Sequence, residues 1–212
     1  AYEDDDIIVI NKPFDMPAHP SAGNHDNTLA NALMYYYGSQ NKPFVYRCIN
    51  RLDRDTTGLT IVAKHALAGG ILGNAVAKRA IHRTYYAVCS GCTPICMRIS
   101  APIARKDAST IERCVDFKRG ENAVTDFIRI KYNPDNNLSL VKLRLLTGRT
   151  HQIRVHMKYI GFPLIGDFLY NPDYTYISRQ ALHSGRLVFT HPVTGQKMNL
   201  ISDIPSDMKS LF

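Results

Sequence analysis

The residues best suited to chemistry begin with a carboxylate set between two arginines. Asp53 lies in the polar segment 50–59, which directly precedes an apolar run. Arg51 and Arg54 would favour its ionised form, because nearby positive charge stabilises a carboxylate. An ionised carboxylate can act as a nucleophile or as a general base. From this segment alone, a loop whose charges pair with one another is the better explanation, so other segments must decide.

A second polar group follows a glycine-containing turn at residues 146–156 and continues with helical spacing. An arginine near the start of a helix opposes the helix dipole, so it indicates a specific anionic partner, either a carboxylate or a phosphate. Arg154 is expected to project from a different side than the polar surface formed by Arg149, Gln152 and His156. His151 and His156 lack the i, i+4 spacing of a zinc-binding helix, so no metal is predicted.

Two adjacent tyrosines and the cysteines complete the reactive residues. Strand alternation puts Tyr85 and Tyr86 on opposite faces of a sheet. One of them can therefore face a cleft, and it fits the segment equally well that both simply pack on the two faces. The cysteine count is odd and no secretion signal is present, which argues against disulfides. The spacing Cys89-x2-Cys92-x3-Cys96 has no suitable fourth ligand, and a structural metal is not expected.

The elements that must position these residues follow from apolar runs and turn formers. Thr28 can cap a helix with Leu29, Leu33 and Tyr36 on its buried face. Segment 161–167 is predicted to be a loop. Strands are predicted at 7–10, 59–63, 83–89, 123–132, 138–146, 186–190 and 196–201, and helices at 28–37, 66–78 and 150–160. Strands that arrive mostly as hairpins, with isolated helices between them, predict an α+β fold with a largely antiparallel mixed sheet flanked by helices.

The charge balance favours a polyanionic partner. The chain has 26 Lys and Arg against 18 Asp and Glu, a net charge of +8. These cations concentrate in segments 42–54, 78–83 and 98–119, whereas the first dozen residues are acidic. Neutralising phosphates releases their counterions, so such clusters suit nucleic acid. No apolar run approaches the ~20 residues of a membrane helix, and the N-terminus lacks a signal-peptide pattern, so a cytoplasmic location is expected.

Together these segments resemble the RluA-type RNA pseudouridine synthases over nearly the whole chain. Residues 51–58 (Arg-Leu-Asp-Arg-Asp-Thr-Thr-Gly) are similar to the family's catalytic motif. Residues 83–87 are similar to its tyrosine motif, and residues 148–156 to its arginine motif. Further matches are Asn11-Lys-Pro13 with His19-Pro20, Leu182-His183, and His191-Pro192. The order of these matches along the chain makes the resemblance specific.

The resemblance implies a role for each matching residue. Asp53 would be the catalytic aspartate, Tyr85 would stack on the target base, and Arg154 would hold Asp53 ionised. Arg51 would fill the stack when the uridine flips out, and Leu182 would line the base pocket. The other residues expected to contact RNA or assist base flipping are Arg54, Arg149, His151 and Gln152.

One position departs from the family pattern. The motif usually begins with His, whereas position 50 is Asn. Asn keeps hydrogen-bonding capacity but carries no charge. Because Asp53 is present, we expect the Asn to change the contacts around the flipped base rather than to abolish activity.

The implied reaction breaks the N1–C1′ bond of a uridine, turns the base and rejoins it through C5. Because nothing is oxidised and no group leaves, neither a cofactor nor a metal is expected. The carboxylate can attack C1′ or remove a proton at C2′, and the sequence leaves both open. The resemblance also implies a single catalytic domain over residues 1–212, with two sheet halves meeting at a central catalytic cleft. Many family members carry an N-terminal S4-type domain as well, and none is expected within this chain. A monomer that acts on rRNA or tRNA is expected.

Other classes of function fit the residues less well. Asp53 and Asp55 form a carboxylate pair of the kind a glycoside hydrolase uses, but the chain has no Trp for a sugar platform. A non-catalytic RNA-binding protein on the same fold is the main alternative, although pure binding gains nothing from an acidic residue among phosphates. No helix-turn-helix or zinc-finger pattern supports a DNA-binding module.

Overall fold

The computed structural model describes residues 1–21, 23, 25–107 and 111–212. These residues form two compact units. The first contains Ala1–His82 and Ser184–Ser202, and the second contains Arg83–His183 and Asp203–Phe212. Along the chain the elements are β1 (Tyr2–Glu3), β2 (Ile7–Lys12), α1 (Leu29–Gly38), β3 (Arg47–Cys48), β4 (Thr57–Ala63), α2 (Ala66–Ala77), β5 (His82–Ser90), β6 (Cys96–Ser100), β7 (Ile103–Arg105), β8 (Arg113–Val115), β9 (Val124–Asn133), β10 (Leu138–Leu145), α3 (Gln152–Tyr159), β11 (Leu182–Thr190), β12 (Lys197–Ile201) and α4 (Ser206–Lys209).

The first unit is built around strand β4, which is buried along its whole length. Strands β2 and β3 pair antiparallel with β4, and β11 also neighbours it. The run Thr-Gly-Leu-Thr-Ile-Val-Ala forms a strand because β-branched and apolar residues pack well on both faces of a covered sheet. Its core cluster joins β2 and β4 to α2 and to the late strands β11 and β12, through residues that include Ile7, Leu59, Leu72, Leu187, Phe189 and Met198.

Helix α1 begins where the sequence predicts, because the Thr28 side chain accepts a hydrogen bond from the backbone N–H of Asn31 (3.2 Å). The prediction that Tyr36 lies on the buried face is wrong. Tyr37 is 1% exposed and Tyr36 is 42% exposed. Tyr37 takes the inner position because it stacks on Phe44, with ring centroids 4.3 Å apart, and donates to a carboxylate oxygen of Glu3 at 2.8 Å.

The second unit contains a sheet in which β5, β10, β9 and β6 pair antiparallel in that order. Alternation places Tyr85, Leu143 and Phe127 side by side on a buried face, and all three are nearly inaccessible. Tyr86 points to the opposite face, where the C-terminal residues Met208, Leu211 and Phe212 belong to the same apolar cluster. The predicted hairpin around residues 133–137 is confirmed.

Strands β6, β7 and β8 were not predicted, because their three to five residues are interrupted by charged side chains. The longer strands and helices α1, α2 and α3 agree with the sequence to within a few residues, α4 was not predicted, and the α+β class is confirmed. The pairs β1–β2, β2–β4, β3–β4, β5–β10, β9–β10, β6–β9, β7–β8 and β11–β12 are all antiparallel. Among the described residues, no helix combines the length and the apolar character that crossing a membrane requires.

Candidate active site

Asp53 lies on the loop that connects β3 to β4 in the first unit. Its backbone carbonyl accepts a hydrogen bond from the N–H of Thr56 at 3.1 Å, which closes a tight turn. The preceding Leu52 is 6% exposed and anchors the loop in the interior, whereas Asp53 itself is only partly buried. The turn and the anchor fix the backbone that carries the carboxylate.

The next residue ties the same loop to the segment after β2. The carbonyl of Arg54 accepts from the N–H of Met16 (3.2 Å) and from Nζ of Lys12 (2.8 Å). The Arg54 guanidinium lies 3.3 Å from Asp55 and 3.8 Å from Asp15, with its side chain 46% exposed. Arg51, on the other side of Asp53, is exposed. Burial and, secondarily, the charge of Arg51 lower the pKa of His19.

Lys12 is unusual because it is a lysine that is only 1% exposed. Its ammonium donates to three backbone carbonyls, those of Pro13 (2.8 Å), Met16 (2.9 Å) and Arg54 (2.8 Å). An ammonium has three donors, and a buried one is tolerated only when they are satisfied. Lys12 therefore acts as a node that draws the 13–16 segment and the Asp53 loop together.

Glycine is required where the loop joins β4. Gly58 has φ +105°, a conformation that L side chains rarely adopt. A Cβ at this position would lie 2.3 Å from the carbonyl oxygen of Ser184. Because the obstacle is backbone, it cannot move aside as a side chain would. The close approach of β11 to β4 thus explains why the motif ends in glycine.

In the second unit, Arg154 on α3 forms a buried ion pair with Asp167. The pair is bidentate, with Nε and Nη2 each 2.7 Å from one carboxylate oxygen, and the two side chains are 1% and 0% exposed. Asp167 also accepts from the N–H groups of Leu169 (3.1 Å) and Tyr170 (3.2 Å). A guanidinium has five N–H donors, of which this pair engages two. The anionic partner that the sequence predicted for an arginine here is thus, at least in part, a carboxylate.

Aromatic rings complete the surroundings of Arg154. Its guanidinium carbon lies 5.4 Å from the centroid of Phe168 and 5.0 Å from that of Tyr170, within cation–π range. Burial raises the pKa of Tyr170 to about 12, although an N–H from Arg113 and the charge of Arg154 oppose the shift. We refer to Arg154, Asp167, Phe168 and Tyr170 as the arginine cage. It fixes the position of a cation whose own side chain has many rotamers.

The turn before α3 is held by Gln152, which is 2% exposed. Its Oε1 accepts from Thr147 (2.7 Å) and from the N–H of Arg149 (3.0 Å), while Nε2 donates to Val124 (3.0 Å) and Thr125 (2.9 Å). These bonds use the full capacity of the amide, which favours a structural role over RNA contact. His151 has φ +56° and its Nδ1 lies 2.9 Å from the hydroxyl of Tyr170.

Arg149 is exposed, yet its guanidinium is already engaged. It pairs with the carboxylate of Glu121 and donates to the carbonyl of Asn122 at 3.1 Å. An exposed pair of this kind can exchange its carboxylate for a phosphate at little cost. Arg149 therefore stays a predicted RNA contact, whereas the amide of Gln152 is already engaged in hydrogen bonds within the protein.

Tyr85 and Leu182 are both buried, at 4% exposure each. Tyr85 lies in the middle of β5, opposite Leu143 of β10. Leu182 begins β11, and its carbonyl is 3.5 Å from an Arg179 nitrogen. Both positions are suited to an apolar pocket wall. Their predicted roles in base stacking and base binding stay predictions.

A buried histidine on α3 is also part of this unit. His156 is 0% exposed; its Nε2 lies 2.9 Å from the carbonyl of Ala101 and its Nδ1 2.9 Å from the Thr125 hydroxyl. A carbonyl can only accept, so Nε2 carries the proton and Nδ1 accepts. Burial lowers the pKa of His156, although its bond to Ala101 opposes the shift. The ring is therefore held neutral.

One group of side chains in the described part of the chain has the composition of a metal site: Asp4, Asp6 and His191. Nδ1 of His191 accepts from the N–H groups of Val193 and Thr194, so Nε2 carries the proton and donates to Asp4 at 2.8 Å. Burial alone would raise the pKa of Asp4, but hydrogen bonds from Ile7, Tyr2 and Asp6 outweigh it and lower the pKa. The cluster is a hydrogen-bonded carboxylate–histidine pair, and its protonated Nε2 does not fit a metal ligand.

Sequence reasoning missed the arginine cage. Segment 161–167 was predicted to be only a loop, yet it delivers Asp167 to Arg154. The available signal was Gly166-Asp167: Gly166 has φ +66°, and a Cβ there would lie 2.1 Å from the carbonyl oxygen of Arg179. A glycine under such constraint, followed by an acid in an apolar segment, marks a carboxylate that is turned inward.

Comparison with known proteins identifies the class. A family model described as RNA pseudouridylate synthase matches residues 6–159. The ribosomal large subunit pseudouridine synthase D of Haemophilus influenzae is 42% identical over 225 residues, covering 100% of this chain and 68% of the relative. An uncharacterized RNA pseudouridine synthase of Bacillus subtilis, YhcT, is 39% identical over 211 residues, covering 99% of this chain and 70% of the relative.

Solved structures agree with this assignment. Human RNA pseudouridylate synthase domain containing 1 has a TM-score of 0.79 and 26% identity, covering 95% of this chain and 81% of that one. The chain therefore belongs to the RNA pseudouridine synthase family, and the RluA-type resemblance is confirmed. It is an isomerase that converts uridine in RNA to pseudouridine.

Proposed function

We propose that this enzyme modifies large-subunit ribosomal RNA and that Asp53 is its catalytic carboxylate. Support for the substrate comes from relatives named ribosomal large subunit pseudouridine synthase D, which are 38–42% identical to this chain. The observation that carries the catalytic assignment is the fixed loop around Asp53. Asp53 matches the catalytic aspartate of the family motif, and Leu52 and Arg54 anchor the backbone on both sides.

The chemistry requires a carboxylate that reaches the sugar of the target uridine. Asp53 either attacks C1′, displacing N1 of the base, or removes the proton from C2′ to expel the base. In the first route C5 of the turned uracil bonds to C1′ and displaces the Asp53 carboxylate. In the second route C5 bonds to C1′ of the sugar double bond and Asp53 returns its proton to C2′. C5 then gives up its proton and N1, now free of the sugar, takes one up. No electrons are gained or lost overall. In either route a fixed backbone contributes by holding the carboxylate in the attack geometry.

The neighbouring residues support base flipping. Extruding a uridine costs a few kcal/mol, and stacking on Tyr85 can return about 1–3 kcal/mol. Arg51, exposed beside Asp53, would fill the vacated stack, and Leu182 would line the base pocket. We propose that Arg154, which the arginine cage keeps charged and fixed, holds Asp53 ionised, as the family resemblance implies. It stays in place because Asp167 and two rings hold it.

Phosphate contacts would position the RNA without reading its sequence. Arg54 and Arg149 are exposed enough to serve, and His151 stands at the same turn as Arg149. The net charge of +8 supports this assignment. We also propose that residues 1–212 act as one catalytic domain, as a monomer in the cytoplasm.

The test is pseudouridine mapping on ribosomal RNA and tRNA from a strain that lacks the protein, complemented with wild type or with Asp53→Asn. We expect specific sites in large-subunit rRNA to disappear and only wild type to restore them. In vitro, Asp53→Asn should lower the rate by at least about 10²–10⁴-fold, the usual contribution of a positioned acid or base.

Asp55→Asn is the matched control, because it removes a carboxylate two residues away that pairs with Arg54. It should retain activity to within about threefold, since surface ion pairs contribute little. Loss of tRNA sites instead of rRNA sites would overturn the substrate. Full activity in Asp53→Asn would overturn the catalytic assignment of Asp53 and leave the loop a role in RNA binding alone.

A further inference from the structure

The side-chain amide of Asn50 takes the place of a backbone peptide group in its hydrogen bonds to strand β4. It is 3% exposed. Its Oδ1 accepts from the N–H of Ile61 at 2.8 Å, and its Nδ2 donates to the carbonyl of Leu59 at 3.2 Å. The Thr60 hydroxyl donates to the carbonyl of Asn50 at 2.7 Å. All of these atoms belong to the first unit.

The location of this amide explains its function. Strand β3 pairs with β4 through Arg47 and Cys48, and the N–H of Ile49 still donates to the carbonyl of Ile61 at 2.9 Å. An antiparallel ladder would next pair the N–H of Ile61 with a backbone carbonyl. The amide of Asn50 takes that place, because a carboxamide has the same donor and acceptor as a peptide group. The main chain is therefore able to leave β4 at residue 50.

The loop that begins at this departure carries Asp53. Without the amide, the N–H of Ile61 would lose its partner in a strand that is fully buried. The carbonyl of Leu59 would keep the hydrogen bond from the Ser184 hydroxyl, at 3.0 Å. An unpaired buried N–H is strongly disfavoured, so the chain would shift to recover it. A shift at residue 50 would be passed directly to the loop that follows.

We propose that Asn50 is a positioning residue that sets where Asp53 stands relative to the reacting sugar. The proposal rests on the catalytic role proposed for Asp53. The resembling motif usually begins with His, a rigid ring that aims its donor and acceptor differently from an amide. The Asn at this position is therefore a distinct solution for ending the β3–β4 pairing.

The experiment compares single-turnover pseudouridine formation and RNA affinity in Asn50→Ala, Asn50→Asp and Ser184→Ala. Ser184→Ala is matched, because it removes the other hydrogen bond to the Leu59 carbonyl and leaves residue 50 intact. We expect Asn50→Ala to lower the rate about 10–100-fold, the range for a misplacement of about 1 Å. RNA affinity should stay within about twofold. Ser184→Ala should keep its rate within about threefold while losing thermal stability similarly.

Asn50→Asp supplies a second readout, the pH profile, which also serves if Asn50→Ala does not fold. A protonated carboxyl offers one donor and one acceptor, as the amide does, whereas the ionised form can only accept. Burial beside a carbonyl favours the protonated form. The ratio of variant to wild-type rate should therefore rise as the pH falls, while the ratio for Ser184→Ala stays flat.

A flat ratio for Asn50→Asp, or a rate for Asn50→Ala no lower than that of Ser184→Ala, would overturn the proposal. Asp53→Asn is measured alongside. If Asp53→Asn is fully active, the proposed function fails instead, and the two failures are thereby distinguished.

Discussion

The Asp53 loop and the arginine cage hold their key side chains by opposite means. The loop is held through backbone groups: the amide of Asn50 on β4, and the ammonium of Lys12 on three carbonyls. In the cage, the Arg154 guanidinium itself is gripped by a buried carboxylate and two aromatic rings. The first arrangement fixes a segment of main chain and leaves the acid partly accessible. The second fixes the functional group directly.

This difference predicts how much stability each region should lose on substitution. Substituting one partner of a buried ion pair causes a large loss of stability, because the charge of the other partner is no longer compensated. Backbone-directed hydrogen bonds respond in smaller steps, since each lost bond leaves one neutral group unsatisfied. Single substitutions in the cage are therefore expected to lower the stability more than single substitutions in the loop.

The largest expected effect is from Asp167→Asn. This variant keeps the shape but removes the charge of the carboxylate that holds the buried Arg154 through Nε and Nη2 of its guanidinium, so the free energy of unfolding should fall by about 3–5 kcal/mol. Urea unfolding of wild type and variant measures it. The double variant Arg154→Met/Asp167→Leu should recover most of that loss, because an apolar pair removes both buried charges. It should nevertheless stay inactive, and a stable, active double variant would contradict the role of Arg154.

A smaller effect is expected from Lys12→Met in the loop region. The carbonyls of Pro13 and Met16 lose their ammonium donor, whereas that of Arg54 keeps the N–H of Met16. Pro13 is exposed and Met16 is half-buried, so each of these two carbonyls should cost about 1–2 kcal/mol, the lower part of the usual range, and the loss of stability should be roughly 2–4 kcal/mol. Lys64→Met is the control, since that lysine is partly exposed and pairs with Glu3. A Lys12→Met loss above that of Asp167→Asn would reverse the comparison.

The smallest effect concerns pH. Because the pKa of His156 is lowered in the folded protein, the unfolded chain takes up the proton first. Stability is therefore complete above the ordinary histidine pKa of about 6.5 and falls as the pH drops below it, by at most about 1.4 kcal/mol per pH unit. Unfolding curves between pH 7 and 5 should show this slope in wild type and a shallower slope in His156→Gln, where His19, whose pKa is also lowered, still contributes.

Much of the fold could be read from the sequence because it depends on local signals. Thr28 caps its helix as predicted, and the 133–137 turn joins two long strands. Strands β7 and β8 escaped because three residues are too few for a pattern, and Arg105 stands directly opposite Arg113. Tyr36 and Tyr37 could not be separated, because the choice depends on Phe44 and Glu3, which lie elsewhere in the chain.

The candidate site was predicted less evenly. The Asp53 segment stands out because its charges adjoin an apolar strand. Asp167 stands out less, since its one signal is the adjacent Gly166, and the sequence alone does not show that this acid turns inward to Arg154. Gln152 was expected to contact RNA because it belongs to the segment that matches the family's arginine motif. Its amide is instead fully engaged by two backbone groups and two threonine hydroxyls of the protein itself.

The discontinuity of the first unit has a consequence for biosynthesis. Its opening stretch, Ala1–His82, leaves the ribosome early, but Leu187, Phe189 and Met198 of its core are translated only after Arg83–His183 has been made. For that interval the nascent chain exposes apolar surface that its own last strands will cover. The second unit can bury much of its core while the first unit still lacks residues 184–202. A chaperone that recognises exposed β-strand surface would thus find its substrate in the half that emerges first.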